Sequence, residues 1–228
     1  MRLDLKRYFA EFIGTFGLVF AGTGAIIINE VSGGAISHAG IAATFGLVVM
    51  AMIYAIGDIS GAHINPAVTF GFWVSGRLPK REVMPYITSQ VGGAVLASLF
   101  LRLLFPEHQG LGATMPAGSS AQTFILEIIL TFFLMFVIIN VSTGAKEKGL
   151  MAGVAIGAVV ALEAMFAGPI TGASMNPARS IAPALLTLNL GEVWIYILAP
   201  VVGAYLGILG CRCVQEKGCC NGVEEQCR

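Results

Sequence analysis

Six apolar stretches, at about 8–28, 41–57, 83–105, 121–141, 149–167 and 193–213, each run for 17 to 23 residues. A bilayer's hydrocarbon core takes about 20 apolar helical residues to cross, so each stretch can span it. With their loops they fill nearly all of the 228 residues, which predicts one transmembrane domain over 1–210 and a short tail over 211–228. Composition agrees: 11% of residues are charged, against roughly 25% in a soluble domain, and the mean hydropathy is +0.82. Thirteen basic residues balance thirteen acidic ones, which lacks the basic excess of a nucleic-acid binder. The apolar start behind Arg2, Lys6 and Arg7 could pass for a signal sequence, but Glu11 interrupts it and no small-residue cleavage site follows. It reads as the first span.

Six spans put both ends of the chain on one side. Arg2, Lys6, Arg7, Arg77, Lys80, Arg81, Lys146, Lys148, Arg212, Lys217 and Arg228 fall there, 11 of 13 cationic residues, with Arg102 and Arg179 left over. By the positive-inside rule both termini are expected to be cytoplasmic, in a multi-pass protein of the cell membrane. Two further apolar pieces, 66–74 and 177–187, are too short to cross: nine residues at 1.5 Å rise reach only about 14 Å. They predict half-helices. Backbone that leaves the helix at that depth must be buried in protein or line a wet cavity.

The halves of the chain repeat, about 1–105 against about 119–210. Tyr86 to Ala94 aligns with Tyr196 to Ala204 at an offset of 110, Asn65 with Asn176 at 111, and Glu11 with Glu127 at 116. Three spans per repeat is odd, so the second copy is inverted, as in many channels and transporters whose sites lie between the halves. Gly149, Gly153 and Gly157, then Ala199, Gly203 and Gly207, then Ser89, Gly93 and Ala97 form small-residue ridges suited to close helix packing.

Asn65-Pro66-Ala67 opens the first half-helix and Asn176-Pro177-Ala178 the second. Asn is a strong N-cap, Pro is favoured at the first helical position, and Ala is the best helix former. The inverted repeat brings these two partly positive helix ends together near the membrane centre. Such a junction disfavours cations. A water accepting from both Asn amides turns its own hydrogens away along the pore, which interrupts proton relay while water passes.

These residues resemble the major intrinsic proteins, the aquaporins and aquaglyceroporins. The resemblance covers essentially the whole chain and rests on the paired Asn-Pro-Ala motifs, Ser60-Gly61-Ala62-His63 before the first, Arg179 after the second and Ala10-Glu11 in the first span. It implies the aquaporin fold, an all-α membrane protein of six transmembrane helices plus two re-entrant half-helices, in a homotetramer whose protomers each hold a pore. Passive movement of water or small uncharged solutes goes with it, with no cofactor and no catalytic residue. The stretches Gly46 to Met50, Leu101 to Phe105 and Phe166 to Asn176 look like the nodulin-type members and their bacterial relatives, a subgroup that carries glycerol, urea and metalloid acids such as arsenite and boric acid as well as water.

The family's four-residue constriction matches Phe45, Ala164, Ala173 and Arg179. Two of four walls are then methyl groups, so the ring should admit solutes of several heavy atoms, while Arg179 repels cations. Ser180 and Ala184 match the water-type pattern instead, which leaves a water-selective pore as the alternative. Glu11 and Glu127 are expected to support the broken loops by accepting hydrogen bonds, and His63 to pack in the first loop. Glu163, beside Ala164, is expected to face a neighbouring helix. Cys211, Cys213, Cys219, Cys220 and Cys227 all lie in the last 18 residues. They are expected as free thiols and as candidate soft-metal or metalloid ligands, with no other metal site. A secondary transporter would need ionisable groups at the midplane, where the motifs hold Asn, Pro and Ala. A membrane hydrolase would need a nucleophile and base, and His38, His63 and His108 form no fitting cluster.

Overall fold

The computed structural model describes residues 2–142, 146–216 and 218–221. The first repeat comprises α1 (Arg2–Val31), α2 (Ser37–Ser60), α3 (Pro66–Val74) and α4 (Lys80–Leu104), and the second α5 (Ser120–Val141), α6 (Lys146–Thr171), α7 (Pro177–Thr187) and α8 (Val193–Val214). Six of these helices, all but α3 and α7, are long and apolar enough to cross a membrane.

The helix ends follow from local chemistry. Both half-helices begin at an extended Asn cap followed by Pro: the Asn65 side chain accepts from the Ala67 N–H, and that of Asn176 from the Ala178 and Arg179 N–H groups. α2 stops at Gly61, whose left-handed φ of 87° suits a residue without Cβ, and the same device stands after α6 at Gly172, φ 82°.

Lipid gives helices no hydrophobic reason to associate, so close packing has to supply it. α1 lies along α4, α5 along α8, and α2 crosses α6 between the repeats. A Cβ on Gly93 would stand 2.2 Å from the Phe12 carbonyl oxygen, and one on Gly203 would stand 2.4 Å from that of Ile128. These are matching contacts in the two halves. Gly157 and Gly46 press backbone to backbone where α6 meets α2, and Gly207 lies against α5. The ridges are therefore packing surfaces. Each half-helix packs mainly on the last span of the other repeat, α3 on α8 and α7 on α4, so the repeats interlock.

The structure corrects the reading of the tail. Cys211 on α8 is joined in a disulfide to Cys220, on a short 3-10 turn over Cys219–Asn221, and Cys219 is disulfide-bonded as well. Cys213 is the free cysteine among the described residues, and Cys227 lies outside them. The turn folds the chain back so that Cys220 reaches the buried face of α8. A sulfur in a disulfide carries no thiolate, so these cysteines are a staple and not a ligand set. Among the described residues no group of three His, Cys, Asp or Glu side chains is placed to hold a metal. Arg77 Nη1 donates to Ser142 Oγ at 2.8 Å and Nη2 to the Cys219 carbonyl at 3.5 Å. The segment after α3, the end of α5 and the tail thus share one end of the bundle.

Candidate functional site

The loops leading into α3 and α7 are matched residue for residue. Gly61, Ala62 and Ile64 have φ of 87°, 47° and 43°; Gly172, Ala173 and Met175 have 82°, 40° and 52°. A left-handed backbone costs energy at residues with a Cβ and persists only where the surroundings impose it. Two buried carboxylates impose it. Glu11 Oε1 accepts from Ser60 Oγ at 2.7 Å and the His63 N–H at 2.9 Å, and Oε2 from the Ile64 N–H and Gln90 Nε2, both at 2.7 Å. Glu127 Oε1 accepts from Thr171 Oγ1 at 2.7 Å and the Ser174 N–H at 2.9 Å, and Oε2 from the Met175 N–H at 2.9 Å. Tyr86 and Tyr196 each donate at 2.8 Å to a carbonyl at the start of the loop, those of Ser60 and Thr171. Every one of these anchors sits in a long helix, so the loops inherit its rigidity.

The loops meet through their asparagines. Asn65 Nδ2 donates to the Met175 carbonyl at 2.8 Å, and Asn176 Nδ2 donates to that of Ile64 at 2.9 Å. Each amide spends its oxygen on its own helix start and one hydrogen on the opposite loop, which leaves one hydrogen free. Both residues line a cavity of about 130 Å³ that runs through the bundle. Val49, Val68, Leu134, Ile138, Ile156 and Val160 make much of its wall, and the polar exceptions are concentrated at the two loops.

Phe45, Ala164, Ala173 and Arg179 come together on the wall of the same cavity. The Arg179 guanidinium lies 5.3 Å from the Phe45 ring centroid, and Nη1 donates to the Gly112 carbonyl at 2.8 Å. A Cβ at Gly22 would fall 2.2 Å from the Phe45 ring, so that glycine makes the room for it. Glu163 is buried and absent from the cavity wall that its neighbour Ala164 joins.

Residues 2–210 match the family described as Major intrinsic protein. The chain belongs to that family. Among its relatives, Aquaporin NIP1-4 of Oryza sativa subsp. japonica is 50% identical over 204 residues, 89% of this chain and 74% of the relative. Aquaporin NIP1-1 of Zea mays is 48% identical over 89% of this chain and 72% of its own length, and Nodulin-26 of Glycine max is 46% identical over 89% and 75%. The structure of the aquaglyceroporin from Plasmodium falciparum superposes with a TM-score of 0.83, covering 92% of this chain and 96% of that one at 24% identity, which speaks for the fold.

At the end of this major intrinsic protein where α1 begins and α8 finishes, the cavity meets a wider one of about 700 Å³, and His63, Phe72 and Ser142 line both. His63 stacks on Phe72 at 4.4 Å between ring centroids, and its Nδ1 lies 3.2 Å from Thr69 Oγ1. Arg7, Asp58 and Arg77 line the wider cavity. Burial lowers the Arg77 guanidinium to a pKa of about 10, so it stays charged at neutral pH. Sequence reasoning missed Arg77 and Phe72 at this mouth and Gly112 at the other. The signal for Phe72 was its place seven residues after Asn65 on the half-helix; for Gly112, in a segment without periodicity, there was none.

Proposed function

We propose that the protein is a passive channel for water and small uncharged solutes such as glycerol, excluding protons and ions, in the cell membrane with both termini cytoplasmic. The observation that carries this reading is the reciprocal Asn exchange. Two helix N-termini and two amide hydrogens converge on one narrow cavity, and the Asn, Pro and Ala that open each half-helix are not ionisable. The positive helix ends oppose a cation, and the amides offer donors to a neutral oxygen. The two methyl walls favour a solute wider than water, and metalloid acids of similar size and neutrality fit the same ring. The names of the nodulin-type relatives support a channel of this class. Each protomer holds a complete cavity, and the apolar outer faces suit a lipid bilayer and a homotetramer of independent pores. The reading assigns no catalytic step and no cofactor.

Purified protein in proteoliposomes tests it by stopped-flow. Water efflux and glycerol entry should both rise above the lipid background with no ion gradient. Glycerol at the background rate would leave a water-selective pore, and dependence of flux on an ion gradient would point to a secondary transporter.

A further inference from the structure

The Arg179 guanidinium is held by one carbonyl, that of Gly112, at 2.8 Å. That carbonyl belongs to the connection between α4 and α5, where Leu111 and Gly112 take left-handed φ of 48° and 67° in succession. Leu111 is fully buried beside Ile27 and Leu101, and a Cβ on Gly112 would stand 2.8 Å from that of Thr23. Packing thus holds the side of these residues that faces α1 and α4, and one further bond holds their backbone: the Leu111 N–H donates to His108 Nδ1 at 3.0 Å.

That contact fixes the tautomer. A ring nitrogen that accepts carries no hydrogen, so a neutral His108 bears its proton on Nε2, which lies 2.9 Å from Glu30 Oε2 and donates to it. An imidazolium carries a proton on both nitrogens. The Glu30 contact then becomes an ion pair, but Nδ1–H and the Leu111 N–H are two donors pointed at each other, and that bond is lost.

We propose that His108 is a positioning residue for the constriction: the neutral ring holds Leu111 and Gly112 where the Gly112 carbonyl fixes Arg179, and protonation releases that hold. The freed guanidinium turns into the passage, so acid reduces flux of a solute such as glycerol more than that of water. This rests on the channel reading above. The charged groups around the ring are Glu30 from α1 and Arg102 from α4, whose Nη1 donates to the His108 carbonyl at 2.8 Å. Glu107 is the neighbour in the chain, and α7 contributes Arg179 as its one charged residue.

The test measures water and glycerol flux in proteoliposomes buffered alike inside and out at about pH 5 and about pH 8, the range in which histidine changes charge. Wild type should lose glycerol flux several-fold at pH 5 with a smaller change for water. His108→Asn, whose Oδ1 replaces Nδ1 as an acceptor without titrating there, should keep the pH 8 behaviour at both values. His108→Ala should show the acid behaviour at both. His38→Gln, at the other described histidine of this mouth, where Nε2 contacts the Met165 carbonyl, should leave the profile unchanged. A wild-type ratio of glycerol to water flux that is flat between the two pH values would overturn the proposal, as would an acid loss that survives in His108→Asn. If glycerol does not move even at pH 8, the solute reading falls, and the His108 proposal is judged on water flux, where a flat profile overturns it.

Discussion

In the first repeat the loop before α3 hangs on Glu11, which Gln90 steadies by donating to its carboxylate, and turns His63 toward the passage. In the second the loop before α7 hangs on Glu127, has Pro200 where the first has Gln90, and presents Ala173 and Ser174 with Arg179 one turn into the helix. The backbone angles, the carboxylate, the tyrosine and the capping Asn are common to both. Beyond the Asn and the matched Ala62 and Ala173, the side chains that face the cavity are not. A duplicated scaffold thus fixes where the two loops meet, while the lining of each mouth varied without disturbing it: an aromatic stack of His63 on Phe72 at one end, methyl groups and a guanidinium at the other.

The largest effect should come from removing the braces. Glu11→Ala and Glu127→Ala each strand two backbone N–H groups, at about 1–3 kcal/mol apiece. The comparison is sharpened by Gln90, whose Oε1 is buried without a hydrogen-bond partner and can turn to take a stranded donor. The second repeat has Pro200 at the matching place, with no amide to offer, so Glu127→Ala should lower the melting temperature in detergent more than Glu11→Ala. Equal losses would show that Gln90 contributes nothing.

Next comes the lining. Ala164→His narrows one wall of the constriction, and glycerol flux should fall by about tenfold, some 1.4 kcal/mol on the barrier, with water flux far less affected. Equal loss of both would place the solute-limiting ring elsewhere. The smallest effect belongs to the shared tyrosines. Tyr86→Phe and Tyr196→Phe each remove one hydrogen bond to a loop carbonyl, at about 0.5–1.5 kcal/mol, and the two losses should match. A clear inequality, read by thermal melts in one detergent, would break the equivalence of the scaffolds.

Most of the scaffold was legible because its signals are local. Asn-Pro-Ala writes a helix start in three residues, a short apolar run bounds a half-helix by length alone, and an offset of 110 to 116 residues declares the repeat. α3 and α7 accordingly span 66–74 and 177–187 as read from the sequence. The bracing by Glu11 and Glu127 was legible in kind, though Gln90 and the tyrosines were not, since only the fold brings Gln90 to Glu11, 79 positions away, and Tyr86 to the Ser60 carbonyl, 26 positions away. The constriction was proposed by resemblance; the structure sets Phe45, Ala164, Ala173 and Arg179 on one cavity wall and adds what periodicity could not, that Gly22 makes room for Phe45 and the Gly112 carbonyl holds Arg179. The tail was misread because the spacing of its cysteines names no partner; the turn at Cys219–Asn221 does, by folding Cys220 back to Cys211.

An experimental density map of the protein in lipid, at a resolution that shows ordered water, bears most directly on the central claim. The account predicts a single file of solvent peaks along the cavity, with one peak within about 3 Å of both Asn65 Nδ2 and Asn176 Nδ2. It would be contradicted by α3 and α7 standing apart, or by a dry gap where the two asparagines meet.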